Sequence, residues 1–454
     1  MSDTHSPAVA LNFSEHAYVA FDGFMGSMPQ VYLIRFDQPV TRDKARAVAR
    51  ELISSQERMR AVIEPGWWRY QLRIMADDHI VDQLFEHAWS ESPHLDARND
   101  AQLEALQTRL LNDVLPVEHG LSCRFHFIPH ERTPVLFLTV HHVLGDGRTM
   151  VHLLTEIMRR INDGEPMAYQ KAEGPSMLGG LTPKSWWQIP AHIWRSRGHV
   201  VRQTAEHARM NIQQFQTMDQ PRMSTHALRH FKASTPASVL RQAARQLDMS
   251  VNSLIILALC ETYLSMAPDD PKAAAVIRMS VDLRRFHPKE AGHGPMWGNH
   301  VGAFLVTETG RKDVKVRVAS VKAQIEEGLA RFERREMLWT YLMFEIMPWL
   351  GRAAVGHIVT TMQRKLRHMP ISLHATSLGN VSHLNPPNAT IKIDHLVATV
   401  PSMAALQVIT EINDRIVMPL IWQRAEASVE QADAYLKRFD EVLARISSAS
   451  CGSS

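Results

Sequence analysis

Cysteine is scarce in this chain, and the scarcity carries information. Cys123, Cys260 and Cys451 are the only three in 454 residues, far apart, odd in number and without Cys-x-x-Cys spacing. That usage argues against a disulfide framework and a cysteine zinc site, and it suits a reducing cytoplasm. Net charge is lacking too. Fifty Lys and Arg against 47 Asp and Glu leave only +3, no basic stripe is interleaved with aromatics, and no nucleic-acid partner is expected. The opening MSDTHSPAVALNFSE has neither a basic nor an apolar stretch, so no secretion signal is expected. No uncharged apolar run reaches membrane-spanning length. The closing CGSS places a cysteine at prenylation distance without the aliphatic pair and reads as a polar tail. Missing as well are HExxH, which would hold a metal, and GxSxG, which would supply a serine nucleophile.

What is present is an ordinary globular composition, 45% hydrophobic and 21% charged. At 454 residues the chain exceeds a usual single core, so two large units are expected. Strand and helix patterns alternate through the first third. VYLIRF (31–36) reads as a strand, and Ala45, Val48, Ala49, Leu52 and Ile53 recur at helical spacing after it. LSCRFHFIPHERTPVLFLTVHH reads as an antiparallel hairpin turning between Pro129 and Pro134. Met150, Leu153, Leu154, Ile157 and Ile161 then share one helical face that Gly164 closes. The expected units are 1–175 and 223–454, joined by a mostly polar helical linker over 176–222.

One stretch concentrates chemistry. HHVLGDG (141–147) sits where the strand ends and the helix begins. Along a strand successive side chains alternate, so His141 shares a face with Val135, Phe137 and Thr139, and His142 with Leu136, Leu138 and Val140. Adjacent histidines that diverge make a poor metal pair, and no metal is expected. Structural histidines, hydrogen bonded at a strand end, are one reading; a general base without a protein nucleophile is the other. An imidazole of pKa about 6.5 can take a proton from an alcohol or amine near neutral pH.

HHVLGDG matches, position for position, the HHxxxDG motif of the acyltransferase superfamily that holds chloramphenicol acetyltransferases, nonribosomal-peptide condensation domains, wax ester synthase/diacylglycerol acyltransferases and related alcohol acyltransferases. Weaker similarities follow in order. SSQERMRAVIE (54–64) resembles an early arginine segment and keeps Arg58 and Arg60. SVNSLIILAL (250–259) resembles a wax ester synthase helix start, with Ser253 where that family has aspartate. MSVDLRRF and WGNHVGAFLV (279–286 and 297–306) resemble paired segments, keeping Arg284, Gly298 and Asn299. SLGNVSHL (377–384) resembles a late strand more loosely. The overall pattern is most similar to wax ester synthases and alcohol acyltransferases.

The resemblance implies an α/β fold of two chloramphenicol-acetyltransferase-like subdomains, a V-shaped pseudo-dimer around a central cleft. It implies that His142 is the catalytic base, deprotonating the acceptor hydroxyl or amine as it attacks a thioester carbonyl, with no acyl-enzyme. His141, Asp146, Gly147 and Arg284 become structural, with Asp146 ion-paired to Arg284 across the halves. Gly147 is expected to allow the tight turn into the helix. Asn299, Ser377 and Asn380 are candidates for substrate or oxyanion contact.

The Met- and Trp-rich segment 335–366, broken at Pro348, makes Trp339 and Trp349 candidates for lining a hydrophobic tunnel. Plain core is the competing reading of such a segment, and an exposed patch with basic flanks would instead mark peripheral contact with a membrane surface. No resident cofactor is expected: the donor is acyl-CoA or a phosphopantetheinyl acyl thioester on a carrier protein, and the acceptor a hydroxyl or an amine. Ester formation, carrier-dependent condensation and a non-catalytic docking role all stay open.

Overall fold

The computed structural model describes residues 8–22, 28–172, 181–183, 185–214, 225–286, 296–310, 313–366, 371–402 and 404–451. A five-stranded sheet organises the first half, in the order Ile393–Thr399, Pro29–Phe36, Val135–His141, Cys123–Ile128 and Trp89–Glu91. All seven residues of Val135–His141 are buried, which explains its continuous apolar run: a central strand covered on both faces has no polar side to alternate with. Its neighbour Cys123–Ile128 pairs with it antiparallel, as the hairpin pattern required.

Local signals set the helices of this half. Thr41 caps Arg42–Ser55 by accepting from the Lys44 N–H at 3.2 Å, and its buried side holds Ala45, Val48, Ala49, Leu52 and Ile53. Helix Gly147–Asp163 packs beside it and ends at Gly164, whose φ of 72° is left-handed.

The second half carries an eight-stranded sheet. Its central run is Val301–Thr309, Ala273–Asp282, Leu373–Asn380, Leu406–Ile412, Leu420–Gln423 and His226–Arg229. Helix Val251–Leu264 is apolar nearly all round because it is buried between strand Ala273–Asp282 and helix Val429–Cys451. No single helix among the described residues is long and apolar enough to cross a membrane.

The halves are tied together in ways no local pattern shows. Strand Ile393–Thr399, from within 223–454, pairs antiparallel with Pro29–Phe36 in the first sheet. Helix Asp100–Asn112 packs on both Pro29–Phe36 and His226–Arg229. Gln107 on that helix donates to the Val31 and Val397 carbonyls, each at 3.0 Å. Of the linker expected over 176–222, helix Ile189–His207 is present and packs on helix Leu338–Ile346. Residues 173–180 and 215–224 lie outside the described residues, as do the last three of the CGSS tail. The break expected at Pro348 is a 3-10 turn, Met347–Leu350, followed by Gly351 at φ 88°.

Candidate active site

The two histidines of HHVLGDG part company at the end of their strand. His141 is fully buried; its Nδ1 accepts from the Val143 N–H at 3.1 Å, and its Nε2 lies 3.5 Å from Asp22 Oδ2. It is therefore held in the core. His142 is only partly buried. Its backbone is clamped on both sides: its N–H donates to the Met28 carbonyl at 2.9 Å, and its carbonyl accepts from Asn299 Nδ2 at 2.7 Å. The ring lies flat on Tyr18, centroids 4.0 Å apart and planes 12° from parallel. Since Nδ1 is buried, Nε2 is the nitrogen on the open edge of the ring. Burial drives the His142 imidazole down to about 4, partly opposed by its own backbone and the Asp146 charge. At neutral pH the ring is a neutral proton acceptor.

Asp146 does not orient His142. One carboxylate oxygen accepts from the Arg148 and Thr149 N–H groups at 3.1 and 3.3 Å, capping the helix. The other accepts from Arg284 Nη1 at 2.7 Å and the His300 N–H at 2.8 Å. Burial alone would raise this carboxyl, but Arg284 and these hydrogen bonds outweigh it and hold it below its usual range. The structure thus brings Asp146 and Arg284 together across the seam. Arg284 also donates to the Gly298 carbonyl at 2.9 Å, and Gly145 bridges Gly298 strand to strand.

Gly147 serves a purpose other than the one its sequence position suggested. It has no positive φ. A Cβ there would come within 2.6 Å of Leu378 Cδ2, so the residue is bare to let the second sheet approach the helix. Across the seam it is Gly298 that takes a positive φ, 99°.

The softer candidates separate. Asn299 is buried beside His142, and its Nδ2 is spent on the His142 carbonyl at 2.7 Å, so in this structure it holds the backbone of the histidine. Ser377 and Asn380 are exposed and stabilise a bulge in strand Leu373–Asn380. Ser377 Oγ accepts from the Gly379 N–H at 3.1 Å, and Asn380 donates to Glu411 at 2.7 Å. Leu378, between them, is the residue of that segment that reaches HHVLGDG. Trp339 is partly buried on helix Leu338–Ile346.

Trp349 lines no tunnel. It is 63% exposed, with the Arg69 guanidinium 4.1 Å from its ring centroid, and its carbonyl accepts from Trp68 Nε1 at 2.8 Å. With Trp67, Trp68 and Leu350 it forms an outward aromatic patch. Trp186, Trp187 and Trp194 are exposed on and just before helix Ile189–His207.

Two contributors had no signal that sequence reasoning used. Tyr18 sits on helix Phe13–Phe21, whose Asn12 and Glu15 form a capping box. Glu15 in turn forms a fully buried ion pair with Arg58 at 2.8 Å and accepts from the Asn299 N–H at 3.3 Å. The Asn-x-x-Glu spacing could have revealed the helix, though not the stacking. Among the described residues no three His, Cys, Asp or Glu side chains are grouped to hold a metal ion.

The sequence matches no family model and no curated protein. Solved structures do match along the whole chain. A trichothecene 15-O-acetyltransferase from Fusarium sporotrichioides superposes with a TM-score of 0.70 at 10% identity, covering 98% of this chain and 97% of its own. The first condensation domain of the calcium-dependent antibiotic synthetase, solved with a substrate analogue, gives 0.68 at 15% identity and 97% of both chains. The starter condensation domain of rhizomide synthetase, solved with C8-CoA and Leu-SNAC, gives 0.65 at 12%, covering 99% and 97%. The fold is that of the acetyltransferases and condensation domains. The two larger of the three sheets among the described residues are accordingly the centres of two chloramphenicol-acetyltransferase-like subdomains, meeting at a V-shaped cleft.

Proposed function

We propose that the protein is an acyltransferase that moves an acyl group from a CoA or carrier-protein thioester to a hydroxyl acceptor. The observation that carries this reading is the presentation of His142. Its backbone is fixed from both halves, its ring is stacked on Tyr18, and its open edge stays neutral at physiological pH. In the proposed reaction Nε2 removes the acceptor proton as the oxygen attacks the thioester carbonyl, and the thiol leaves with a proton. No protein nucleophile takes part. Holding both substrates at one base replaces a bimolecular encounter, worth up to about 7–11 kcal/mol in favourable cases.

The experiment is to incubate purified protein with one acyl group presented on CoA and on a phosphopantetheinyl carrier, each against alcohols and amines, and to identify products by mass spectrometry. Ester from CoA supports a kinship with wax ester synthases and alcohol acyltransferases. Amide formed only from the carrier supports the condensation alternative. No transfer with any pair supports a docking role.

A second reading concerns placement. The exposed Trp67, Trp68 and Trp349 with Arg69, and Trp186, Trp187 and Trp194 beside Arg195 and Arg197, favour peripheral contact with an anionic bilayer. Amphipathic indoles settle at headgroup depth, and arginines complement the lipid charge.

A further inference from the structure

Strand Ala273–Asp282 presents two different faces. Ala275, Ile277 and Val281 pack into the second hydrophobic core, and Met279 lies against it. Arg278, Ser280 and Asp282 alternate with them and face the other half, where Asp282 Oδ2 lies 3.4 Å from Arg148 Nε on the helix that follows HHVLGDG. Arg278 is thus a guanidinium projecting from the middle of a sheet into the cleft. It is exposed, and among the described residues it makes no hydrogen bond and no ion pair.

Its surroundings are polar, and among the described residues no carboxylate pairs with it. On the adjacent strand His374 is its register partner, and His374 Nε2 is hydrogen bonded to Ser280 Oγ at 2.9 Å. Burial holds that imidazole neutral, and the Arg278 charge adds to the effect. The same charge reaches Tyr341 and Tyr18, the latter being the ring on which His142 is stacked; burial nevertheless raises both phenols, Tyr18 to about 12, so both stay neutral. The nearest carboxylate on the strand, Asp282, is engaged by Arg284 at 3.3 Å and by Arg148. A permanent cation among neutral hydrogen-bonding groups, whose charge is felt by the ring stacked on His142, complements an anion of the ligand.

We infer that Arg278, with Ser280 and His374 beside it, forms a carboxylate-binding subsite of the cleft, so that one of the two substrates brought to His142 carries a free carboxylate. The inference rests on the acyl-transfer reading and narrows it to a carboxylated acceptor or a donor whose acyl chain ends in a carboxylate.

Matched pairs test it. One arm compares glutaryl-CoA with pentanoyl-CoA as donor, and the other compares short hydroxy acids with their methyl esters as acceptor, in wild type, Arg278→Gln and Arg278→Lys. The expected result is a preference in kcat/KM of about 10–100-fold for the carboxylated member of one pair. Arg278→Gln should collapse that ratio towards one, and Arg278→Lys should retain most of it. The arm that shows the preference identifies which substrate carries the carboxylate. Transfer that depends on His142 but shows no preference in either arm, or a preference that survives Arg278→Gln, overturns the inference and leaves acyl transfer standing. Absence of His142-dependent transfer from every donor overturns the reading beneath it and the inference together.

Discussion

Replacing Asp146 with alanine should loosen the seam between the halves and act on the imidazole only through it. The change leaves Arg284, whose side chain is 12% exposed, without its 2.7 Å partner, and it uncaps helix Gly147–Asp163. Removing one member of a buried pair costs about 3–5 kcal/mol. Arg284 retains Asp282 at 3.3 Å and the Gly298 carbonyl at 2.9 Å, which places its share near the lower end, about 3 kcal/mol. The lost cap contributes roughly 1 kcal/mol more. With an unfolding entropy of about 2.1 cal/mol/K per residue over 454 residues, Tm should fall by about 3–5 °C if the chain unfolds as one unit. Asp146→Asn keeps a capping oxygen and should lose less.

Calorimetry on Asp146→Ala, Arg284→Ala and the double variant measures the coupling, expected to reach at least about 1 kcal/mol. The sign of the pH dependence follows from the depressed carboxyl. Its contribution is fully present above the unfolded value of about 3.9 and is lost as pH falls through the lower folded value. The gap between wild type and Asp146→Asn should stay flat from neutrality to about pH 5 and close below about pH 4. Additive single variants, or a large loss of activity at unchanged stability, would refute the structural role and point to an orienting carboxylate of the triad kind.

Other perturbations have equally definite outcomes. His142→Ala should lower turnover by about 10²–10⁴ while the fold persists, and the acid limb of the kcat/KM profile in wild type should lie near pH 4 rather than at the ordinary imidazole value; a limb near pH 6.5 would contradict the desolvation of the ring. Glu15→Gln and Arg58→Met should each destabilise the protein by about 3–5 kcal/mol, with the double variant recovering part of the loss because no unpaired charge remains; full additivity in urea unfolding would argue against the pair. Sedimentation with vesicles should show binding to anionic but not zwitterionic bilayers, reduced by Trp68→Ala with Trp349→Ala; equal binding by the variant would remove the aromatic patch from the account.

The parts of this molecule that were legible in its sequence are those whose causes are local. The buried run ending in His141, the helical face of Met150 to Ile161 and the Gly164 stop each follow from a few adjacent residues. The partnership of Asp146 with Arg284 spans 138 positions and came from resemblance to a family, since no local periodicity encodes it. Gly147 shows the difference well: a turn was the natural local reason for a glycine, whereas the operative one is Leu378 arriving from the second sheet. Trp349 misled for a related reason. Helical spacing says which residues share a face but not whether that face is covered, and here Trp68 and Arg69 meet it at the surface. Tyr18 and Arg278 were invisible because their meaning arises only where the two halves meet.

Single-turnover transfer from an accepted thioester, followed by product analysis together with the intact mass of the protein, tests the central claim most directly. Product should form in wild type and be lost in His142→Ala, with no acyl adduct on the chain at any time. A transient adduct of the acyl mass, or transfer undiminished by His142→Ala, would contradict it.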